Sequence, residues 1–169
     1  MGTLTPGQNY DHVNIVISGW SGMHDLMYNA KFKAGEVFNR GSLVSLDSNG
    51  EFVTGLPDDT AMPLWANNAT GDFDVDSDVG NFSATGIVGA YVATGGYEIR
   101  TTEYDTGGTY NPNTQLEADT VTAGLVTDKS AAYTTTQGEC VGVVSSGTHT
   151  ENYGQSTLSF WPVYLPALA

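Results

Sequence analysis

The amino-acid sequence predicts an all-β fold, a compact β-barrel or β-sandwich with long loops. The first indication is that 21 glycines, with many Ser, Thr, Asn and Asp, interrupt the chain at intervals of roughly 8 to 12 residues. The second is that the apolar runs between these breaks are short and rich in Val, Ile, Thr, Tyr and Phe. The third is that segments with helical spacing are nearly absent. Barrel and sandwich give nearly the same pattern, because inward and outward side chains alternate along the strands of both.

The clearest local element is a hairpin in the segment SLVSLDSNGEFVTGL, residues 42–56. Asn49 and Gly50 stand between two β-prone runs and predict a two-residue type I′ turn, since both tolerate a positive φ. Such a loop would place Leu46 opposite Val53. Apolar residues then fall on both faces of the hairpin. This pattern is expected for a barrel wall that is covered twice, as by a neighbouring subunit.

Further strands are predicted in the runs VNIVIS, TGIVGAYVAT, GYEIRTTEY, TAGLVT, ECVGVVSS and STLSFWPVYL. Pro162 in the last run lacks an amide hydrogen, so we expect this run to lie at a sheet edge or to change direction there. Residues 104–115 are predicted to form a long loop or a hairpin tip. We expect one β-rich domain over residues 21–169, preceded by a possible N-terminal arm, residues 1–20.

Length and cysteine content indicate an ordinary globular chain. The 169 residues correspond to one domain with a sizeable core. The single cysteine, Cys140, cannot form a disulfide within the chain. The start of the sequence lacks the basic and apolar regions of a signal peptide, and no run has the length of a membrane-spanning helix. We therefore expect the protein to fold inside a cell.

The charge balance is strongly acidic. The 19 Asp and Glu face five Lys and Arg, which gives a formal net charge of −14 at pH 7. Nucleic acids and anionic lipids attract clustered cations, and the chain has no such cluster beyond Lys31, Lys33 and Arg40. Binding to nucleic acid or to a membrane is therefore not expected. An acidic surface also resists self-association and adhesion to other polyanions.

Four aspartates at alternate positions, Asp72, Asp74, Asp76 and Asp78, resemble part of a calcium loop. An EF-hand loop that began at the first of them would need Gly at its sixth position and Glu at its twelfth. The sequence has Ser at both, and the register that begins two residues later also fails. A solvated strand face or acidic loop is the favoured interpretation, and a weakly bound cation stays open. No metal ligand is assigned.

The remaining polar residues do not form a recognisable catalytic motif. His12, His24 and His149 are far apart and have no metal-ligand spacing. Cys140 lies in an apolar run, where a small buried thiol is expected. A nucleophilic pair of Cys140 with His149 is conceivable, but nothing nearby indicates an activating group or an oxyanion hole. No nucleophile elbow, phosphate loop or dinucleotide fingerprint is present. We therefore expect neither a catalytic residue nor a cofactor.

Two aromatic segments, MPLWANN and LSFWPVYLPALA, stand out from the rest. Trp and Tyr beside proline are typical anchors of protein interfaces, and they are also typical of a final core strand. Both interpretations remain open at this point. The candidate interface residues are Trp65, Phe160, Trp161 and Tyr164.

The segments GLPDDTAMPLWANN and GVVSSGTHTENYGQSTLSFWPVYLP resemble parts of the capsid decoration, or cement, proteins of tailed bacteriophages. The resemblance covers residues 34–68, 95–110 and 139–166. It implies a β-rich virion protein, made in the host cytoplasm, that binds the outside of an icosahedral head after expansion and contacts the major capsid protein. It also implies a homo-oligomer, with a trimer favoured over a dimer. The family has no catalytic residues to carry over.

A different class of function also fits these residues. A calcium-assisted carbohydrate-binding β-sandwich would use the acidic residues together with Trp65 or Trp161. The melting temperature should then depend on calcium, because an ion that binds only the folded state stabilises it. An enzyme on a β-barrel is disfavoured because no supported nucleophile or carboxylate pair is found.

Overall fold

The computed structural model describes residues 13–16, 27–57, 61–67, 87–92, 97–129, 140–150 and 154–165. Over these residues the chain forms β-strands and no helix, which confirms the predicted all-β fold class. In chain order the strands are β1 (Val13–Val16), β2 (Met27–Lys31), β3 (Leu43–Leu46), β4 (Phe52–Thr54), β5 (Leu64–Ala66), β6 (Ile87–Val92), β7 (Glu98–Thr101), β8 (Gln115–Ala118), β9 (Val126–Asp128), β10 (Cys140–Thr150) and β11 (Ser156–Leu165).

The strands form two antiparallel sheets, and no closed barrel is found within the described ranges. The six-stranded sheet has the order β1-β7-β11-β10-β8-β9, and the five-stranded sheet has the order β2-β6-β5-β3-β4. β1 belongs to the predicted arm of residues 1–20 and pairs with β7 at one edge, from Val13 opposite Thr101 to Val16 opposite Glu98. The long β10 and β11 pair with each other in the middle of the six-stranded sheet.

The main core lies between the two sheets. The five-stranded sheet contributes Leu43, Trp65 and Tyr91, and strands of the six-stranded sheet contribute Ile99, Leu116, Val126, Val141, Val144, Leu158 and Phe160. Trp65 and Phe160 join the two sheets directly, since their ring centroids are 5.6 Å apart. Burial of each such large side chain stabilises the fold by about 1.5–3 kcal/mol.

The opposite face of the five-stranded sheet is also apolar. The alternation that turns Leu43 and Trp65 toward the main core turns their neighbours Val44 and Leu64 the other way. These neighbours belong to a second cluster, whose buried members are Phe38, Val44, Phe52, Leu64, Ala66 and Ala90. Both faces of the hairpin are therefore covered, as predicted. The covering residues belong to the same chain, so no neighbouring subunit is needed to explain the pattern.

A bridge joins the two edges of the five-stranded sheet. Phe32 follows β2 at one edge and bridges Phe52 of β4 at the other. The Lys33 N–H donates to the Phe52 carbonyl at 2.9 Å, and the Thr54 N–H donates to the Glu36 carboxylate at 2.9 Å. The sheet therefore curls toward itself, and segment 32–36 occupies the outer edge of β4.

The hairpin of β3 and β4 forms as predicted, but its register is shifted by one residue. Leu46 pairs with Phe52, whereas the two-residue loop would have paired it with Val53. A one-residue slip moves every side chain of one strand to the other face. As a result Phe52 shares the face of Val44 and Leu46, and all three pack in the second cluster.

The side chain of Asp47 explains this correction. Its Oδ1 accepts hydrogen bonds from Asn49 N–H at 2.8 Å and Glu51 N–H at 3.0 Å. Gly50 N–H donates to the Asp47 carbonyl at 2.9 Å, and Gly50 alone within this turn has a positive φ, 74°. The turn is thus a three-residue loop with a left-handed glycine, because the Asp47 carboxylate favours that arrangement over the type I′ turn.

Pro162 lies in an interior strand, since β11 runs between β7 and β10. The expectation of a sheet edge for this strand is therefore wrong, and the alternative, a change of direction at Pro162, stays a prediction. The pairing of β11 with β7 covers only residues 158–160, so Pro162 lies beyond the point where β7 has ended. Its partner on β10 is Gly142, next to a register shift between Cys140 and Gly142. The amide hydrogen that Pro162 lacks is therefore missing at the irregular end of the β10–β11 pairing, beyond the last residue of β11 that pairs with β7.

Candidate functional site

Trp161 differs from the other exposed large apolar residues of the described ranges. Those others, Val37, Met62 and Val121, lie in loops. Trp161 lies in the middle of the six-stranded sheet and is 42% exposed. Single apolar residues in loops are ordinary features of protein surfaces. A half-exposed tryptophan on a sheet face is a large apolar surface held on a rigid element.

The alternation along β11 determines which way Trp161 points. Leu158 and Phe160 face the main core, so Ser159 and Trp161 face away from it. On β10, Val143 lies opposite Trp161 and is half-buried. The pair forms an apolar centre on the outer side of the sheet, and cross-strand pairs of this kind stabilise a sheet.

Polar residues surround this apolar centre. Arg100 lies opposite Ser159, and its Nε donates to the Ser159 Oγ at 3.0 Å, which satisfies that buried hydroxyl. On the other side Gln115 of β8 lies opposite Val143. We call the surface formed by Arg100, Gln115, Val143 and Trp161, with Ser159 buried beneath Arg100, the Trp161 face. It combines an apolar centre with a polar rim, which is the usual composition of a protein interface.

An ion pair continues the same side of the sheet beyond β8. Leu116 and Ala118 pack on the main core, so Glu117 between them faces outward. Its Oε2 is 2.8 Å from the Lys129 Nζ, and the Lys129 side chain is only 3% exposed. Arg100 and Lys129 are two of the five Lys and Arg in the chain. Glu98 lies on the same outward face of β7 as Arg100, so this side of the sheet carries charges of both signs.

The structure separates the four candidate interface residues. Trp65 and Phe160 are fully buried, at 0% exposure each, and pack against each other in the main core. They cannot contact a partner from these positions, because their side chains are buried in the main core. Tyr164 is half-buried and lies on β11 within the irregular stretch between Pro162 and Leu165. Trp161 is the member of the set that a partner can reach over a large area.

The conceivable nucleophilic pair is not formed. Cys140 is buried, its Sγ donates to the Gly142 carbonyl at 3.2 Å, and burial raises the pKa of its thiol. His149 lies at the other end of the pairing with β11, since Cys140 faces Leu165 and His149 faces Thr157. The His149 Nε2 is 2.9 Å from the Ser146 Oγ. Because Cys140 is buried and lies at the far end of the strand pairing from His149, His149 cannot act as its base.

The described ranges contain no group of three or more His, Cys, Asp and Glu side chains that could hold a metal ion. The aspartates of residues 72–78, together with His12 and His24, lie outside the described residues. Over the same described ranges, no helix has the length and apolar character needed to cross a membrane.

Three residues of the Trp161 face, Arg100, Gln115 and Val143, were not among the candidates singled out from sequence. The signal for Arg100 was present, because Glu98 and Arg100 alternate with apolar Ile99 in a predicted strand. No comparable signal marks Val143. It lies in a run of apolar residues, and only its pairing with Trp161 gives it a place on the outer face.

The Trp161 face combines a large exposed apolar side chain with polar neighbours, a composition that suits contact with a partner. Its apolar centre suits a partner with a complementary apolar pocket, and its arginine suits an acceptor at the rim. The chain was compared with protein-family models, with curated proteins and with solved structures, and none of the three comparisons finds a match.

Proposed function

We propose that this protein is a structural component of a virion. In this proposal it binds the outer surface of an icosahedral phage head and stabilises the expanded capsid across contacts between major capsid proteins. It acts as a homo-oligomer, with a trimer favoured, and without a cofactor. The resemblance of residues 34–68, 95–110 and 139–166 to decoration proteins of tailed phages supports this function. A structural role of this kind requires a binding surface and no active site.

The observation that carries the proposal is the exposure of Trp161 in the middle of a sheet. Tryptophan is among the residues that most often dominate the energy of an interface, because it buries a large rigid surface. Its cross-strand partner Val143 and the core residue Phe160 beneath the sheet hold its backbone in place. An anchor on a fixed backbone keeps more of its contact energy on binding, since no loop has to become ordered.

Two of the four edge strands, β4 and β9, have occupied outer edges, which supports association through a face. Segment 32–36 occupies the outer edge of β4, through hydrogen bonds to Phe52 and Thr54. In the other sheet Tyr104 bridges Val126 of β9, and Asp105 N–H donates to the Val126 carbonyl at 2.9 Å. Open edges invite uncontrolled strand pairing with other copies. A shell protein displayed at high local density needs protection against such pairing.

Repetition explains how a modest contact can hold a shell together. A cement protein is present in many copies, and each copy of an oligomer engages the shell together with its partners. Binding of the second and third subunits is then intramolecular, which raises the overall strength without any new contact. The formal charge of −14 per chain would keep free virions that display the protein apart in solution.

Co-sedimentation with heads tests the proposal directly. Purified protein is mixed with expanded, DNA-free heads of its own phage and, separately, with unexpanded heads. We expect saturable binding to the expanded form alone, and the plateau gives the copy number per shell. Absence of binding to both forms would rule the proposal out. Melting with calcium and with chelator would then be the next measurement, for the carbohydrate-binding alternative.

The Trp161→Ala substitution tests the residue that carries the proposal. We expect its affinity for expanded heads to fall by about 30-fold or more, which corresponds to an interface hot spot of about 2 kcal/mol. Val121→Ala is a matched control, since Val121 is also apolar and exposed but lies in a loop. Equal binding by both variants would show that the Trp161 face is not the contact surface. Urea unfolding checks that both variants fold.

A further inference from the structure

The turn between β3 and β4 contains the one Asn-Gly dipeptide of the chain, Asn49-Gly50. Asn49 is exposed, and a Cβ added at Gly50 would meet no atom within 4 Å. Because glycine lacks a side chain, nothing shields its amide nitrogen from the side chain of the asparagine before it. The hairpin explains why these residues stand in a turn. It does not account for the reactivity of the Gly50 amide nitrogen toward the Asn49 side chain, which is a separate property of this dipeptide.

We propose that Asn49 is a site of spontaneous deamidation and that Asp47 slows this reaction in the folded protein. The Gly50 amide nitrogen gives up its proton to solvent base and attacks the Asn49 side-chain carbonyl carbon. A new C–N bond closes a five-membered succinimide ring, and the side-chain amide nitrogen leaves as ammonia. Water then opens the ring at either carbonyl and yields aspartate or isoaspartate. One water is consumed and one ammonia is released, with no change of oxidation state.

The turn opposes the first step through three hydrogen bonds. Gly50 N–H, the group that must lose its proton, donates to the Asp47 carbonyl at 2.9 Å. The Asp47 Oδ1 accepts from Asn49 N–H and Glu51 N–H at 2.8 and 3.0 Å, on either side of the reacting bond. Ring closure requires the Gly50 nitrogen to turn toward the Asn49 side chain, so these bonds must break first. The carboxylate that sets the hairpin register therefore also protects its turn.

The modification has a structural consequence of its own. Isoaspartate adds a methylene group to the backbone, and a turn with one residue in a left-handed conformation cannot absorb it without a shift. Either product adds a negative charge beside Asp47, whose Oδ2 is 3.7 Å from the Lys33 Nζ. Loosening of this turn would release the register that keeps Phe52 in the second cluster. The inference rests on the turn alone and is independent of the proposed function.

Peptide mapping by mass spectrometry tests the proposal. Folded wild-type protein, wild-type protein in urea, and folded Asp47→Ala and Lys33→Ala variants are incubated in mildly alkaline buffer, and the conversion of amide to acid is followed. We expect Asn49 to be the first asparagine of the chain that is modified in urea. We expect the reaction to be slower by at least about fivefold in the folded wild type, as the loss of one hydrogen bond would produce. The Asp47→Ala variant should react faster than wild type, and Lys33→Ala should match wild type.

Asn111 provides an internal reference, because Pro112 follows it and has no amide hydrogen to lose. Equal rates of Asn49 modification in folded and unfolded wild type would contradict the protection by the folded turn. Earlier modification of another asparagine in urea would contradict the assignment of Asn49 as the site. A folded Asp47→Ala variant that reacts no faster than wild type would remove the role of Asp47. Should that variant not fold, Asp47→Ser retains a weaker acceptor and is expected to react at an intermediate rate.

Discussion

Gly142 marks a close approach of β10 to the main core. A Cβ added there would lie 2.7 Å from the Phe160 Cδ2 and 3.3 Å from the Trp161 carbonyl oxygen. The Phe160 ring cannot easily move away, since it is fully buried and packs against Trp65. Interiors are packed as densely as organic crystals, so one extra methyl group must displace something. The glycine therefore lets β10 approach the ring that joins the two sheets.

Gly142→Ala should lower the free energy of unfolding by about 1–3 kcal/mol, the usual effect of overpacking. The smaller ring-free side chain of Phe160→Leu should reduce that cost when the two changes are combined. Gly107→Ala is the control, because its added Cβ would meet Asp105 only at an ordinary 3.4 Å, and it should change stability by less than about 0.5 kcal/mol. Urea unfolding of Gly142→Ala, Phe160→Leu, the double variant and Gly107→Ala measures these differences. A Gly142→Ala variant as stable as wild type would show that the ring yields freely.

At the scale of the element, we expect the stability of the β3–β4 hairpin to depend on the ionisation of Asp47. The hydrogen bond from Glu51 N–H, helped by that from Asn49 N–H and by Lys33, outweighs desolvation and lowers the pKa of Asp47 below its ordinary value of 3.8. A carboxylate with a lowered pKa in the folded state stabilises the fold above its unfolded pKa. That contribution is lost as the pH falls through the lowered value.

Asp47→Ala should therefore reduce the urea midpoint at neutral pH. The difference from wild type should shrink as the pH falls below the ordinary Asp pKa of 3.8. Ser48→Ala, at an exposed neighbouring position, is the control and should show no such pH-dependent difference. Urea titrations of the three proteins over an acid series provide the measurement. A difference between Asp47→Ala and wild type that stays constant with pH would mean that the carboxylate charge plays no part in the turn.

The same hairpin shows how far the sequence leads at this scale. The existence of β3 and β4 follows from their β-prone runs, and β11 occupies the predicted run of residues 156–165. The register does not follow, because two turn types are compatible with Asn49-Gly50 and the Asp47 side chain selects between them. Local patterns thus determine which residues form strands. Hydrogen bonds to a single side chain determine how those strands pair.

At the scale of the whole molecule, the sheet order determines which aromatic residues meet solvent. Alternation along β11 requires Phe160 and Trp161 to face opposite ways, but it does not say which of them faces inward. That depends on the five-stranded sheet, whose Trp65 packs on Phe160. The two tryptophans thus have different environments although both stand near proline in apolar segments. The sequence could nominate Trp65 and Trp161 equally, and only long-range packing separates the core residue from the surface residue.

The net charge makes a prediction about assembly of the free protein. Each chain carries −14, so copies repel one another, and an oligomer held by apolar contact must overcome that repulsion. Salt from about 0.1 M to about 1 M shortens the Debye length from about 10 Å to about 3 Å and should shift the equilibrium from monomer toward trimer. Light scattering or analytical ultracentrifugation over this salt range measures the shift. A single-chain mass throughout would contradict the trimer, and weaker association at high salt would mean that attraction between opposite charges holds it together.

Trp161→Ala then assigns the Trp161 face to one of two contacts. If the face joins subunits, the variant should remain monomeric at high salt, because the loss of an interface hot spot removes about 2 kcal/mol or more from each contact. If the face meets the shell, the variant should form the same trimer as wild type and yet fail to bind expanded heads. Val121→Ala should behave as wild type in both measurements. Unchanged trimer formation together with unchanged head binding by Trp161→Ala would exclude this face from the assembly.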